Sequence, residues 1–166
     1  LPAFILPFIN MSFVLKPSLL KIPLLGRAIR GFEPIVVSRD NARADLKTVM
    51  EEGPKRLQAG ASVLIFPQST RTADFDPSQF SSLGIKLARR AGVPIIPCAL
   101  QTDFWAPGKR FRELGSIHPQ RPVYFEFGSA IPPDAGTDRE AQAQIIAFIS
   151  ERVRAWGGKV AAPPAR

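Results

Sequence analysis

The sequence predicts a single α/β domain in which helices flank a largely parallel central sheet. Three strand-length runs rich in β-branched and other apolar residues support this prediction, and they lie at 34–38, 62–66 and 93–100. Segments of helical length separate these runs, the pattern typical of parallel strands joined by helical crossovers. A length of 166 residues suits one domain, and a hydrophobic content of 45% is enough to build its core.

The first 31 residues predict short elements. Leu1 to Leu15 is strongly apolar, but it contains Pro2 and Pro7 and is shorter than the ~20 residues that a membrane-spanning helix needs. It fits either a buried segment that leads into a strand or an amphipathic segment in the membrane interface, and we expect the buried one. From Lys16 to Gly31, prolines and a glycine interrupt the leucines, which predicts two short helical turns.

Two longer helices are predicted in the middle of the chain. The first covers about 42–57, follows candidate N-caps at 39–41, and is expected to kink at Pro54. The second begins with Asp76 as its N-cap, followed by a proline at the first helical position, and ends at Gly92.

The last part of the chain predicts one strand, one helix and a tail. The strand lies at 122–127 and alternates between apolar and polar residues, and a capping box at 137–140 opens a helix that extends to Trp156. The Ala-Ala-Pro-Pro sequence that follows is typical of a frayed end. We therefore expect one domain at 1–160 and a disordered tail at 161–166.

The chain is strongly basic. Its net charge of +8 predicts attraction to anionic partners, namely nucleic acid, an acidic carrier protein, phosphorylated substrates or an anionic membrane. The sequence has no long Lys/Arg run, no zinc-finger spacing and no strand that alternates basic and aromatic residues, which argues against nucleic acid. The single cysteine, Cys98, excludes an intramolecular disulfide and a cysteine-rich metal site, and it fits a reducing cytoplasmic setting.

Two polar segments directly after predicted strands form the candidate site. The first contains Arg39, and the second consists of Phe66, Pro67, Gln68, Ser69, Thr70 and Arg71. The carboxyl ends of parallel strands meet at one edge of a sheet, where α/β domains bind ligands. A guanidinium group, small hydroxyls and backbone N–H groups at that edge suit a bound phosphate. The alternative is a polar turn in which each arginine pairs with a nearby carboxylate, Asp40 or Asp74.

Four short segments match, in order, the sequence blocks of one known family. They are Phe-Pro-Gln-Ser-Thr-Arg at 66–71, Val-Val-Ser-Arg at 36–39, Val-Pro-Ile-Ile-Pro at 93–97, and the segment at 16–26. Together they resemble the lysophosphatidic acid and glycerol-3-phosphate acyltransferase superfamily, in its third, second and fourth blocks and in the segment before the second block. Four ordered matches are far more specific than any single one.

The resemblance implies an enzyme that moves a fatty acyl group from acyl-CoA or acyl carrier protein to a lysophosphatidic-acid-like acceptor in phospholipid synthesis. It implies that Arg39 and Arg71 bind the acceptor phosphate, in a site formed with residues 66–70. It implies no metal and no cofactor beyond the acyl thioester as co-substrate. The implied partners are this donor, the phosphorylated glycerolipid acceptor and a membrane surface at the cytoplasmic face, with no nucleic acid.

Two departures from the family's blocks affect the expected chemistry. The first block, His-x-x-x-x-Asp, supplies the general base in the family, and no histidine precedes Phe13. We therefore expect this block upstream of Leu1, no catalytic residue within this chain, and no significant activity from this chain alone. In the third block, Gln68 and Ser69 stand where the family has Glu and Gly, which removes a carboxylate but keeps an amide.

Other interpretations stay open beside the enzyme. The main one is a non-catalytic lipid- or phosphate-binding domain of the same fold, because the histidine and the glutamate of the blocks are both absent. A basic nucleic-acid-binding module is the third. The only histidine, His118, lies in a predicted loop, where a solvated side chain is expected. Cys98 lies in an apolar run, where a cysteine is usually a small buried hydrophobe, so we do not expect a Cys–His pair.

Overall fold

A computed structural model describes residues 10–22, 25–38, 40–68, 74–102, 116 and 118–162. The strands in these ranges are β1 (Met11–Leu15), β2 (Ile35–Val36), β3 (Ser62–Leu64), β4 (Cys98–Thr102) and β5 (Val123–Phe127). The helices are α1 (Pro17–Leu20), α2 (Leu25–Arg30), α3 (Ala42–Gln58), α4 (Leu83–Ala91) and α5 (Asp138–Ala155). A 3-10 turn covers Pro77–Gln79.

A three-stranded parallel sheet with the order β2-β1-β3 forms the centre of the fold. Val14 of β1 lies opposite Ile35 of β2, and Phe13 lies opposite Leu64 of β3. All five residues of β1 are buried, as expected for the middle strand of a sheet that is covered on both faces. The predicted α/β class and parallel sheet are therefore confirmed.

The residues of β1 alternate between two hydrophobic clusters. Val14 packs on one side in a cluster that includes Val49 of α3 and Leu87 of α4. Met11, Phe13 and Leu15 pack on the other side with apolar residues that include Leu19, Leu20, Ile29 and Phe32. We call α1 and α2 together the hairpin. The two helical turns predicted at 16–31 are confirmed, and the hairpin covers the face of the sheet that α3 and α4 leave open.

β4 and β5 form a second, antiparallel sheet, which runs in register from Cys98 opposite Phe127 to Thr102 opposite Val123. The cluster beneath it joins Ala99 of β4 to apolar residues of α5. Ile85 of α4 belongs to the same cluster, so α4 packs against both sheets. The strand predicted at 122–127 is confirmed, and its antiparallel direction was not specified by the sequence pattern.

The start of the helix predicted from Asp76 is wrong. Asp76 accepts a hydrogen bond from the Ser78 N–H at 2.9 Å, but it caps only the 3-10 turn. Phe80 is extended, with ψ 114°, and α4 begins at Leu83. The chain leaves the helical path because the Ser81 N–H donates to the Pro67 carbonyl at 3.1 Å and the Phe80 side chain packs in the α5 cluster.

Two predicted strands are shorter than their apolar runs. The run at 93–100 becomes a strand only from Cys98, because Pro94 and Pro97 have no N–H to donate. Between the prolines, Ile95 makes a single bridge with Ile131, and Ile96 is 50% exposed rather than buried. In the run at 62–66, β3 ends at Leu64, so it is shorter than predicted, and its first residue, Ser62, is exposed.

The predicted helix ends are mostly confirmed. Gly92 ends α4 with a left-handed φ of 66°. Asn41 caps α3, which continues through Pro54 to Gln58. Thr137 and Glu140 form the capping box of α5, and hydrogen bonds from Thr137 lower the pKa of the Glu140 carboxyl.

The two ends of the chain are described only in part. Residues 1–9 lie outside the described ranges, and 11–15 form the buried strand β1. At the other end, the Ala161 N–H donates to the Phe75 carbonyl at 2.8 Å, and 163–166 lie outside the described ranges. The division into a domain at 1–160 and a tail stays a prediction. None of the helices within the described ranges is long and apolar enough to cross a membrane.

The crossing of α3 and α4 depends on Gly53, and we expect Gly53→Ala to lower the free energy of unfolding by about 1 kcal/mol. A Cβ at this position would lie 2.6 Å from Cδ1 of Leu87, whose side chain is only 3% exposed. Overpacking costs about 1–3 kcal/mol, which exceeds the ~1 kcal/mol that alanine gains in a helix. Urea denaturation measures the change.

Gly84→Ala is the matched control, since a Cβ at Gly84 would meet Ile65 at an ordinary 3.7 Å. This variant should keep its stability or gain up to about 1 kcal/mol. A Gly53→Ala protein at least as stable as wild type would show that Leu87 moves aside without cost.

Candidate functional site

The ends of three parallel strands define the candidate site. Because β1, β2 and β3 run in the same direction, their carboxyl ends lie at one edge of the sheet. The Val37 N–H donates to the Leu15 carbonyl at 2.9 Å, which extends the pairing of β2 to this edge. The block at 36–39 begins at Val36, the last residue of β2, the block at 66–71 follows β3, and Lys16 follows β1 between them.

The loop from β2 to α3 is fixed by side chains at both of its ends. Asp45, in the first turn of α3, accepts from the Ser38 N–H at 3.0 Å and from its hydroxyl at 3.2 Å. The Asp40 N–H donates to the Ser38 hydroxyl at 3.3 Å. Asn41 accepts from the N–H groups of Arg43 and Ala44, both at 3.1 Å. These bonds position the residues on either side of Arg39, which itself lies outside the described ranges.

The third block begins two residues after β3. Its first residue, Phe66, is 42% exposed, and the next two, Pro67 and Gln68, are half-buried. Ser69, Thr70 and Arg71 lie outside the described ranges. The described chain resumes before Phe75, whose N–H donates to the Lys159 carbonyl at 2.9 Å. The Pro67 carbonyl accepts from the Ser81 N–H at 3.1 Å, so hydrogen bonds hold the chain both at Pro67 and at Phe75.

The carboxylate of Asp76 is held just after the third block. Its pKa is lowered by the Ser78 hydroxyl, by the Gln79 side chain and by the Ser78 N–H, which all donate to it. The hydroxyl bond is 2.6 Å and the Gln79 bond is 2.7 Å. Sequence reasoning identified Asp76 as a cap but did not identify Asp45, although an aspartate in the first turn after a strand end was the available signal.

The other two motif segments lie apart from the strand ends. The segment at 16–26 forms most of the hairpin, and a Cβ on Gly26 would come within 2.7 Å of the Leu20 carbonyl carbon, so only glycine fits there. The fourth block, 93–97, follows α4 and leads into β4. Within it Pro97 is buried, and its carbonyl accepts from the Gly128 N–H at 2.8 Å. We attribute a packing role to both segments.

Cys98 does not have the properties of an activated nucleophile. Burial raises the pKa of the half-buried Cys98 thiol, so this thiol stays protonated at neutral pH. His118 is half-buried, and its Nε2 lies 3.0 Å from the Ser116 hydroxyl. The described residues contain no group of three or more side chains suited to hold a metal ion.

A cavity of about 300 Å³ lies at the Thr102 end of the antiparallel sheet. Its lining residues are Gln101, Thr102, Arg121, Pro122, Tyr124 and Trp156. It contains none of the residues predicted for the site. We therefore place the candidate site at the edge of the parallel sheet, where two motif blocks meet.

Comparison with known proteins identifies the family. The family model described as Acyltransferase matches residues 3–101, a range that includes all four motif segments and the parallel sheet. The chain belongs to the acyltransferase family. This match confirms the resemblance that the four segments predict.

Individual relatives agree with the family assignment. The chain is 31% identical over 150 residues to a 1-acyl-sn-glycerol-3-phosphate acyltransferase of Pseudomonas aeruginosa, covering 90% of this chain and 54% of the relative. It is 29% identical over 141 residues to a 1-acyl-sn-glycerol-3-phosphate acyltransferase of Chlamydomonas reinhardtii, covering 82% of this chain and 40% of that relative. The chain thus spans about half the length of the first relative and less of the second.

A solved structure shows the same fold. The crystal structure of the 1-acyl-sn-glycerophosphate acyltransferase PlsC from Thermotoga maritima matches with a TM-score of 0.63. The match covers 95% of this acyltransferase chain and 62% of that protein, at 19% identity. At this identity the match supports the fold and carries no information on substrate.

We expect Asp45→Ala to loosen the loop that contains Arg39. Losing the acceptor of two hydrogen bonds should speed amide hydrogen exchange at Ser38 and Asp40 by about five-fold, because one hydrogen bond contributes ~1 kcal/mol. Asp45→Asn keeps an acceptor oxygen and should change exchange at these amides little.

The Arg43 and Ala44 N–H groups provide the internal control, since Asn41 holds them. Equal acceleration at all four amides would mean that the whole helix end frays. Unchanged exchange at Ser38 would mean that Asp45 does not fix the loop.

Proposed function

We propose that this chain forms the acceptor-binding part of an enzyme that transfers a fatty acyl group from a thioester to a lysophosphatidic-acid-like acceptor in phospholipid synthesis. The donor is acyl-CoA or acyl carrier protein. The observation that supports the proposal most is the position of the second and third blocks, which follow the two strands flanking β1 at one edge of a parallel sheet. The names of the relatives give the same class of reaction.

The spacing of the strands suits a phosphate between the two blocks. Paired strands lie about 4.8 Å apart, so β2 and β3, with β1 between them, are separated by about 10 Å. We assign Arg39 and Arg71 to opposite sides of one phosphate, with Lys16 between them. Guanidinium groups suit this role because each offers two parallel N–H donors to the phosphate oxygens. Ser69 and Thr70 add hydroxyl donors.

The proposed chemistry uses a base from outside this chain. We assign that role to the histidine of the family's first block, expected upstream of Leu1, which takes the proton from the acceptor hydroxyl. The acceptor oxygen then attacks the thioester carbonyl carbon. An ester C–O bond forms, the C–S bond breaks, and the proton passes to the leaving thiolate. The acyl group arrives already activated, so the proposal includes no metal and no further cofactor.

The proposed partners follow from the substrates. A lysophosphatidic-acid-like acceptor resides in a membrane, and the net charge of +8 favours an anionic lipid surface or an acidic carrier protein. We propose that the protein acts at the cytoplasmic face of that membrane and does not bind nucleic acid.

A non-catalytic lipid- or phosphate-binding domain is the second candidate, and Gln68 favours it. In the family's third block this position is a glutamate, and an amide cannot replace a required negative charge. It can replace a carboxylate that only accepts hydrogen bonds. The two candidates therefore differ in what substitutions at Gln68 do.

The phosphate role of Arg71 predicts that lysine cannot replace it. Arg71→Lys should weaken binding of glycerol 3-phosphate to the 166-residue chain almost as much as Arg71→Ala does. A charge-assisted hydrogen bond contributes ~1.5–3 kcal/mol, so the affinity should fall by about ten- to a hundred-fold. Isothermal titration calorimetry measures the affinity.

Arg154→Ala is the control for this test, because it removes an exposed guanidinium from α5 without touching the site. Its affinity should equal that of wild type. Unchanged affinity in a folded Arg71→Ala protein would remove the phosphate role. A collapse of the melting temperature would favour the alternative in which Arg71 forms a structural ion pair.

The Gln68 side chain should contribute hydrogen bonds rather than charge. In a version that includes the upstream histidine block, Gln68→Ala should lower acyl transfer by about ten-fold, because losing one such bond costs roughly 1.4 kcal/mol. Gln68→Glu should stay within about three-fold of wild type. Transfer by Gln68→Glu alone, with none by wild type, would favour the non-catalytic domain. Equal rates for Gln68→Ala and wild type would leave position 68 without a role in the site.

A further inference from the structure

The proposed function leaves one cavity unused, the cavity of about 300 Å³ at the Thr102 end of the antiparallel sheet. Cavities of this size hold small molecules. Arg121 is the only charged side chain among the described residues that line it, and none of these residues is acidic. The cavity therefore suits a small ligand that carries negative charge.

Two aromatic side chains form part of the cavity lining. Tyr124 stacks on Trp156, with ring centroids 5.6 Å apart and an angle of 16° between the rings. Tyr124 is 40% exposed, so Trp156 leaves part of the Tyr124 ring open. An open aromatic ring of this kind is a surface on which the base of a nucleotide stacks.

The Gln101 side chain can supply hydrogen bonds to such a base. Gln101 lies opposite Tyr124 in the sheet. Its Nε2 donates to the Trp156 carbonyl at 3.4 Å, which is longer than the usual range of about 2.7–3.2 Å. Its buried Oε1 accepts no hydrogen bond from the described part of the chain. Turning this amide toward the cavity therefore breaks only one weak bond, and it offers the edge of a base both a donor and an acceptor.

Arg121 is exposed where it lines the cavity, and it suits a phosphate. A guanidinium group has several N–H donors, so it can bind two phosphate oxygens while other N–H groups keep a partner in the protein. An aromatic surface, an amide and a guanidinium around one cavity are together the groups that recognise a nucleoside phosphate.

The cavity lies at the edge of the fold that carries the candidate site. α4 begins at this edge, because a Cβ on Gly84 in its first turn would lie 3.7 Å from Ile65, directly after β3. α3 runs from this edge to the opposite one, since it follows β2 and precedes β3. α4 runs the same way, because its Leu87 lies against Gly53 in the second half of α3. A short link then leads into β4, so β4 runs back toward the edge and ends there at Thr102.

Hydrogen bonds also join the chain beside the cavity to the chain that leaves the third block. Lys159 and Ala161 follow closely after Trp156 of the cavity. The Phe75 N–H donates to the Lys159 carbonyl at 2.9 Å, and the Ala161 N–H donates to the Phe75 carbonyl at 2.8 Å. Phe75 follows closely after Arg71, the last residue of the third block. A ligand in the cavity would therefore lie close to the proposed acceptor site.

We propose that this cavity binds a nucleoside phosphate, with the base on the open part of the Tyr124 ring and a phosphate on Arg121. Two sources carry this chemistry, namely the adenosine end of coenzyme A and a free nucleotide. The position of the cavity beside the acceptor site favours coenzyme A. In that case the inference rests on the proposed function, and it selects acyl-CoA over acyl carrier protein as the donor. A free nucleotide would instead make the cavity a regulatory site.

Isothermal titration calorimetry with adenosine 3′,5′-bisphosphate tests the cavity, and the 166-residue chain should bind this probe saturably. Tyr124→Leu should weaken binding about ten-fold because it removes the stacking surface, whereas Tyr124→Phe keeps the ring and should bind within about two-fold of wild type. Arg121→Gln should weaken binding by about ten-fold or more, because it removes the charged donor.

Two variants control for the loss of a ring and of a charge. Phe125→Leu removes a ring with the same 40% exposure, whose side chain points to the other face of β5. Arg90→Gln removes an exposed guanidinium from the end of α4 that lies away from the cavity. Both should bind the probe within about two-fold of wild type. Thermal melting checks the fold of each variant, and the exposed Arg121 keeps the test decisive if Tyr124→Leu does not fold.

The two sources are separated by competition between ligands. Binding of coenzyme A about ten-fold or more tightly than AMP, ADP and ATP would identify the donor, and the reverse order would identify a free nucleotide. Both results support the cavity as a nucleoside phosphate site.

Three results would overturn the inference. They are no saturable binding of any of these nucleotides, equal binding by wild type and a folded Tyr124→Leu protein, and losses in the two control variants that equal those in the cavity variants. Glycerol 3-phosphate separates this inference from the proposed function, because Tyr124→Leu should bind it as wild type does. A chain that binds nucleotides but no glycerol 3-phosphate would contradict only the acceptor site, and the opposite result would contradict only the cavity.

Discussion

Burial of β1 is the constraint on which the other elements depend. Its side chains alternate between the cluster of α3 and α4 and the cluster of the hairpin, and each fully buried large apolar side chain contributes about 1.5–3 kcal/mol. β2 and β3 both pair with this strand, so the position of β1 determines where these two strands end and where the two motif blocks lie. β1 also holds the turn into β2. The Ser12 hydroxyl donates to the carbonyl of Glu33 at 2.9 Å, and Glu33 has a left-handed φ of 44°.

The fold was predictable wherever the local pattern and the tertiary contacts agree. Runs of β-branched residues gave the order of strands and helices, and Gly92 and the 137–140 capping box gave helix ends. The errors occur where a distant contact overrides the local pattern. Pro67 draws the chain out of the helix predicted from Asp76, and Ile131 pairs with Ile95 where a longer strand was expected. The antiparallel direction of β5 depends on chain reversal between β4 and β5, for which the apolar pattern carries no signal.

The candidate site was predictable in its position but not in its supports. The motif blocks and the rule that ligands bind at strand ends located it at Arg39 and at residues 66–71, and the parallel sheet brings the strand ends that precede these segments to one edge. The structure adds Asp45, which fixes the first loop, and the anchoring of the second loop at Phe75. Aspartate in a first helical turn is common as a response to the helix dipole, so sequence alone did not distinguish this role. Arg39 and Arg71 lie outside the described ranges, and their roles stay predictions.

We propose that the edge formed by β1, β2 and β3 binds the acceptor phosphate. Titrating the isotopically labelled chain with glycerol 3-phosphate, while following backbone amide chemical shifts by NMR, tests it most directly. We expect saturable shifts at Ser38, Asp40, Phe66 and Gln68, with one affinity for all four amides. Saturable shifts confined to Gln101 and the other residues of the separate cavity, or no saturable shifts, would contradict it.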